Sequence, residues 1–272
     1  MEAISITDQE FWQIVNLLKN TYGINLSQKK NLIVGRLQNH LHRSQFRSFS
    51  EFYDYVVNDS SGEAVTLLIN KLTTNYTYFL RENEHFEFYV KTVLPYITST
   101  VKDKDMRTWS AGCSSGEEPY TIAMFIDEYF GINKNGWDTK ILATDISERV
   151  LSLAADGVYM TESLEPLKPM WRSNYFTKLG DDNSQVVDRL RREVVFRKFN
   201  LMERKMPFRK KFHIIWCRNV MIYFDAKTKH ELVERFYDVT EPGGFLFIGH
   251  SESISRGETR YRYVQPAIYR KE

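Results

Sequence analysis

The stretch Gly112-Cys113-Ser114-Ser115-Gly116-Glu117-Glu118-Pro119 has the make-up of a ligand-binding turn. It follows a short apolar run at 107–111 and leads into an amphipathic stretch over 117–130. Small residues between a strand and the next helix let a ligand approach the backbone at the carboxyl edge of a sheet. A phosphate-binding loop needs Gly-Lys-Ser/Thr, and here two glutamates occupy the helix start instead. Carboxylates there repel a pyrophosphate and suit a ligand with hydroxyls or a cationic centre. The spacing also departs from the G-x-G-x-x-G dinucleotide fingerprint. The plain alternative is that both glutamates merely satisfy the helix dipole.

Asp145 ends the next apolar run, Ile141-Leu-Ala-Thr-Asp. An acid at that place accepts hydrogen bonds from both hydroxyls of a ribose. It equally suits the N-cap of the following helix, although Ser147 is available for that. As an exposed strand-end carboxylate it is expected to contribute little to the core. A glycine loop, no phosphate machinery and a strand-two acid together resemble the class I S-adenosylmethionine methyltransferases.

The elements that must hold these residues read as follows. From about residue 105, apolar runs at 107–111, 140–144, 212–217 and 245–249 alternate with amphipathic stretches at 117–130, 147–155 and 225–238. That alternation predicts a parallel sheet with crossover helices, a doubly wound α/β fold. Pro166, Pro169 and the turn beginning at Gly180 interrupt it and predict a small β-hairpin insertion at about 170–198. The tail, 261–270, alternates aromatic and polar residues and is expected to add one edge strand. Residues 1–75 read as all helical. Thr7 with Glu10 is a capping-box pattern, and Phe11, Ile14, Val15 and Leu18 recur at helical spacing. Ser27 is expected to cap a second helix, Ser48 with Glu51 a third, and Gly62 precedes a fourth. The expected division is a helical domain at 1–75, a linker with a connecting helix at 76–104, and an α/β domain at 105–272.

Composition removes other classes. The 272 residues fit one large or two unequal domains. With 26% charged residues and no apolar run long enough to span a bilayer, membrane insertion is not expected. The first residues lack the basic and apolar regions of a secretory signal, and two cysteines, Cys113 and Cys217, cannot build a disulfide framework. The expected setting is cytoplasmic. Net charge is only +2, but positions 19–47 hold six Lys/Arg and no acid, and 189–211 hold ten against two. Either run suits an anionic partner, or is a solvated face.

Further segments narrow the resemblance. Leu72-Thr-Thr-Asn75-Tyr-Thr77-Tyr-Phe-Leu-Arg81-Glu82-Asn-Glu-His85-Phe86 joins the two domains, and Cys217-Arg218-Asn219-Val-Met-Ile-Tyr223-Phe224-Asp225 closes and follows the run at 212–217. With WSAGCSSGEEPY, ATDIS, FNL, GGFLFIGHSES, YGINL and RLQNHL, nearly the whole chain resembles the chemotaxis receptor glutamate methyltransferases, the CheR family. Leu80 departs from a common Phe, a core-like swap. His213 replaces a common acid and is expected at a strand end. Cys217 is expected to be a buried structural thiol.

The resemblance implies a class I methyltransferase fold with a small N-terminal all-α domain, and methyl transfer from S-adenosyl-L-methionine to receptor glutamates, leaving S-adenosyl-L-homocysteine. It implies that Asn75, Thr77, Arg81, Glu118, Asp145, Asn200, Leu201, Arg218 and Asn219 hold the cofactor. Arg81 would pair the cofactor carboxylate, Asp145 the ribose, and Asn200-Leu201 frame the adenine. For Arg218 and Asn219 the alternative is strand-end hydrogen bonding. Tyr223 is the candidate for orienting the substrate carboxylate, unless it packs under the sheet edge. The partner implied is the cytoplasmic domain of methyl-accepting chemoreceptors, met by a monomer. On the second helix, Arg36, His40 and Arg43 share a face and form a row for an acidic receptor helix, extended by Arg47 if the helix runs so far. No metal site and no nucleic acid are expected. A nucleic-acid methyltransferase would need Asn/Asp-Pro-Pro-aromatic where this chain has Cys-Arg-Asn-Val. A non-catalytic adaptor would carry damaged binding motifs.

Overall fold

A computed structural model describes residues 4–74, 76–134, 136–255 and 257–272. The chain divides into two compact units, Met1–Asn75 with Tyr223–Lys229, and Tyr76–Ile222 with His230–Glu272.

The first unit is helical: α1 (Asp8–Tyr22), α2 (Lys30–Arg43), α3 (Phe49–Asn58) and α4 (Glu63–Leu72). Phe11, Ile14, Val15 and Leu18 of α1 are buried with Ile33, Leu37, Leu41, Phe49, Phe52 and Leu68. The α1 capping box is complete: Glu10 N donates to Thr7 Oγ1 (3.2 Å) and Thr7 N to Glu10 Oε2 (2.8 Å). Ser48 caps α3, but the Glu51 carboxylate reaches back to Arg47 N, one residue beyond the capping-box position. Ser27 does not cap α2. Its N–H donates to Asn25 Oδ1 in a local turn, and α2 begins at Lys30 without a side-chain cap. Arg47 lies outside α2, which stops at Arg43, and Gln45 turns the chain away at φ 61°.

The second unit holds α5 (Asn83–Phe88), α6 (Leu94–Thr100), β1 (Thr108–Ala111), α7 (Glu117–Phe130), β2 (Ile141–Asp145), α8 (Glu148–Asp156), β3 (Val158–Met160), α9 (Pro169–Tyr175), β4 (Phe176–Leu179), β5 (Asn183–Val186), α10 (Asp188–Arg191), β6 (Val194–Lys198), β7 (Phe212–Cys217), most of α11 (Ala226–Asp238), β8 (Thr240–Ile248), β9 (Arg262–Gln265) and β10 (Ile268–Arg270). The seven-stranded sheet runs β6-β2-β1-β7-β8-β10-β9. Its first five strands are parallel, and β10 and β9 close it antiparallel. Every residue of β1 and β7 is buried, as the continuous apolar runs require. Trp216 of β7 stacks on Phe247 of β8 at 4.0 Å and on Phe86 of α5 at 5.1 Å.

Two expectations change. The tail forms a hairpin of two strands, because Ala267 turns the chain at φ 62°. The insertion is a three-stranded antiparallel sheet, β3-β5-β4, rather than a lone hairpin. It draws in 158–160 upstream, while 194–198 pair in register with β2 and belong to the main sheet.

Candidate active site

The parallel strands diverge between β1 and β7: chain order proceeds through β2 and β6 on one side and β8 on the other. Such a switch point opens a crevice at the strands' carboxyl ends. There the loop after β1 is pinned by Gly112 N and Cys113 N, which both donate to Thr144 O at 2.8 and 2.9 Å. Gly112 has φ 94°, and a Cβ there would lie 2.3 Å from Val220 Cγ2, so no larger residue fits.

Asp145 is half-buried and works on this loop. Oδ2 accepts from Ser114 N (2.9 Å) and Oδ1 from Ser147 N (3.0 Å). Ser147 caps α8 by accepting from Val150 N, so the cap reading of Asp145 falls. Against the expectation of an exposed carboxylate contributing little to the core, Asp145 is half-buried and bonded to two backbone amides. Burial raises its pKa, as it does that of Glu117, which accepts from Ser115 Oγ.

Glu118, in the first turn of α7, accepts from Ser110 Oγ at 2.7 Å and from Arg218 Nη1 at 3.0 Å. Burial pushes its carboxyl up, and the Arg218 charge opposes that shift. The Arg218 side chain is only 2% exposed. Nη2 donates to Glu82 Oε2 (3.1 Å) and to Arg81 O, the guanidinium lies 5.4 Å from the Phe86 ring centroid, and Nε has no hydrogen-bond partner among the described residues. Glu82 also accepts from Asn219 Nδ2 and His250 N, each at 3.2 Å. Burial works to raise the Glu82 carboxyl, but Arg218 and these hydrogen bonds outweigh it and hold it below its ordinary value. Glu252 Oε2 takes Asn219 N (3.0 Å) and Gly249 N (2.6 Å), fixing Asn219 at φ 60°. Arg218 and Asn219 thus make hydrogen bonds at the end of β7.

His85 is 1% exposed beneath this cluster, its Nδ1 3.4 Å from Glu82 Oε2 and its ring 4.5 Å from that of His250. Burial first, then Arg218, pushes its pKa down to about 3. Glu82, His85 and His250 bring possible metal-ligating atoms within 4.8 Å of one another, yet Arg218 already supplies the positive charge beside them.

The remaining expected residues divide. Arg81 Nη1 donates to Tyr76 O at 2.8 Å, and its guanidinium lies 5.9 Å from the Tyr78 ring. Thr77 is half-buried in the same extended segment, and Asn75 lies outside the described residues. Phe199 N donates to Asp145 O, which sets Asn200 and Leu201 beside the end of β2. There Asn200 Oδ1 accepts from Met202 N, and Leu201 is buried. Cys113 and Cys217 are buried free thiols, their pKa values raised by burial. His213 is buried at the start of β7, where its Nδ1 accepts from Arg107 N. Glu82, His250 and Glu252 are the members that sequence reasoning missed, although all stand inside the quoted segments.

Tyr223 and the basic row fall in the helical unit. Tyr223 Oη accepts from Thr74 N at 2.8 Å, and Tyr223 O accepts from Asn25 N at 2.8 Å. Arg36 is committed locally: it donates to Thr73 O (2.8 Å) and Thr74 Oγ1 (3.1 Å), closing the C-terminal end of α4. His40 packs on Phe46 and Phe52, and burial first, then Lys71, lowers its pKa, so it adds no charge near neutral pH. Arg43 is exposed, as is Arg36; among the described residues Arg43 has no hydrogen bond or ion pair, whereas Arg36 and His40 are held by contacts within the helical unit.

Whether a sulfonium nucleoside fits can be read from the donor set. Asp145 and Glu117 take only neutral donors among the described residues, and Glu82 and Glu118 share one guanidinium. Carboxylates outnumber cations around a glycine loop too tight for side chains, which suits a hydroxylated, positively charged ligand and not a phosphate. Comparison with known proteins agrees. The model of the CheR methyltransferase all-alpha domain matches residues 9–73, and that of the CheR methyltransferase SAM binding domain matches 75–269. A chemotaxis protein methyltransferase of Borreliella burgdorferi is 43% identical, over 98% of this chain and 96% of its own. Chemotaxis protein methyltransferase 2 of Vibrio cholerae is 36% identical over 94% and 89%, and the Escherichia coli chemotaxis protein methyltransferase 33% over 98% and 92%. With the two models matching residues 9–73 and 75–269, the chain belongs to the CheR methyltransferase family, whose cofactor is S-adenosylmethionine.

Proposed function

We propose that this chain transfers the methyl group of S-adenosylmethionine to glutamate side chains on the cytoplasmic domains of chemoreceptors, acting as a cytoplasmic monomer. The observation that carries the reading is the acid-rich glycine loop: Asp145, Glu117 and Glu118 stand around it, and among the described residues Arg218 is the one cation bonded to them.

When bound, the cofactor supplies an electrophilic methyl group on a sulfonium. Asp145 would hold the ribose, Leu201 and Asn200 the adenine, and Glu118 the amino group, with Arg81 and Thr77 on the aminoacyl side. A substrate glutamate, with an ordinary pKa near 4.3, is already ionised at neutral pH and needs no general base. That accounts for catalysis without a nucleophile–base pair: alignment and exclusion of water carry the rate, and positioning is worth up to about 7–11 kcal/mol. Tyr223 is proposed to orient the substrate carboxylate, its hydroxyl released from Thr74, and Arg43 to meet the acidic receptor helix. No described helix is long and apolar enough to cross a membrane, consistent with approach to the receptor from solution.

Incubation with methyl-labelled cofactor and receptor-bearing membranes tests this. The expected product is label on receptor, released by mild alkali as a methyl ester is. Alkali-stable label, or label on nucleic acid, overturns it.

A further inference from the structure

Arg218 has the planar fork that closes on a carboxylate through two parallel hydrogen bonds. It does not close so on Glu118. Nη1 alone reaches Glu118 Oε2, while Nη2 is drawn to Glu82 Oε2 and Arg81 O. Glu82 is in turn held by Asn219 Nδ2 and His250 N, at a backbone φ of 55° that faces it inward from the start of α5. Two carboxylates on one guanidinium leave one negative charge uncompensated, and Glu118 stands at the glycine loop where the ligand must lie.

We propose that Glu82 is a positioning residue that sets cofactor specificity: by occupying the second arm of Arg218, it keeps Glu118 from being neutralised and reserves that carboxylate for the cofactor's ammonium group. This rests on the cofactor placement proposed above. Glu82 itself touches no cofactor; it acts through Arg218. Without its charge, the guanidinium is free to turn and clamp Glu118 through both arms, and the site loses its demand for a cation. The buried Nε of Arg218, without a hydrogen-bond partner among the described residues, fits this division, since the fork is oriented by two competing acids rather than by one ideal pair.

The test compares two ligands by calorimetry: S-adenosylhomocysteine, and its analogue with hydrogen in place of the amino group. The wild-type chain is expected to prefer the amino compound by about tenfold or more. In Glu82→Gln, which keeps size and acceptor oxygen but not charge, the amino compound should weaken by about tenfold while the desamino analogue stays within about twofold. Glu82→Asp keeps the charge, tolerates the left-handed backbone well, and should retain most of the preference. If Glu82→Gln weakens both ligands alike, or neither, Glu82 is a structural prop and the proposal fails. Should Glu82→Gln not fold, loss of the preference in Glu82→Asp overturns it equally. A wild-type chain that binds S-adenosylhomocysteine but not better than the desamino analogue sinks the role of Glu82 alone. One that binds neither overturns the cofactor placement itself.

Discussion

The amide of Ser114 points at Asp145 Oδ2 from 2.9 Å, across the gap between the loop after β1 and the end of β2. The carboxylate assigned to the ribose therefore also shapes the loop over which the rest of the cofactor must lie. Asp145→Ala should abolish measurable S-adenosylhomocysteine binding and also cost stability, because Ser114 N and Ser147 N lose their acceptor. A loss of about 1–3 kcal/mol is expected. Calorimetry and denaturant melts read both. Unchanged affinity removes Asp145 from the site, and unchanged stability shows that water replaces its backbone contacts.

His85 makes the fold acid-sensitive. Its folded pKa lies near 3, below the ordinary 6.5, so between these values the unfolded chain binds the proton and the folded chain does not. Stability from keeping it neutral is thus fully present above pH 6.5 and is lost as pH falls through that window. From pH 7 to pH 5 the loss should be on the order of 2 kcal/mol. His85→Phe suits the aromatic surroundings of Trp216 and Phe247 and should flatten this part of the pH profile. An equal slope in both proteins places the acid sensitivity elsewhere.

Arg36 and Arg43 are expected to behave differently although they share a helix. Arg36→Glu removes the donors to Thr73 O and Thr74 Oγ1 and should destabilise the helical unit by about 1–2 kcal/mol. Arg43→Glu should leave the melting curve in place and slow receptor methylation mainly at low salt, where steering is strongest. Wild-type methylation by Arg43→Glu in low salt would make the basic segment a solvated face.

Tyr223→Phe separates two tasks of one hydroxyl. Loss of the bond to Thr74 N should cost about 1 kcal/mol. Turnover with saturating receptor should fall, with S-adenosylhomocysteine affinity within about twofold. Stability loss with unchanged turnover would mean that Tyr223 only anchors Thr74.

Much of this was legible because it is written locally. The α1 apolar spacing, the Thr7–Glu10 box and each apolar run that becomes β1, β2, β7 or β8 lie within about fifteen residues, the span over which periodicity speaks. The loop after β1 and the place of Asp145 at the end of β2 could be read because each adjoins a short apolar run that forms a strand. What stayed hidden is joined over long separations. Glu82 looks like an ordinary surface acid until Arg218 and Asn219, far along the chain, fold onto it. Arg36 looks free until the end of α4 meets it. β3, three residues with one buried side chain, is defined only by pairing with β5, and Ser27 lost its capping role to an Asx turn that no periodicity signals.

The two buried cysteines give the molecule a built-in clock. Cys113 lies in the loop after β1 and Cys217 at the end of β7, both free and both held protonated by burial. A maleimide reacts with thiolate in contact with solvent, so neither sulfur can be labelled until its segment opens. Labelling of Cys113 then times the opening of the loop, and labelling of Cys217 the loosening of the central sheet. Cofactor that closes over the loop should slow the first clock in proportion to its occupancy, and the ratio of the two rates would tell local breathing from global unfolding without any engineered cysteine.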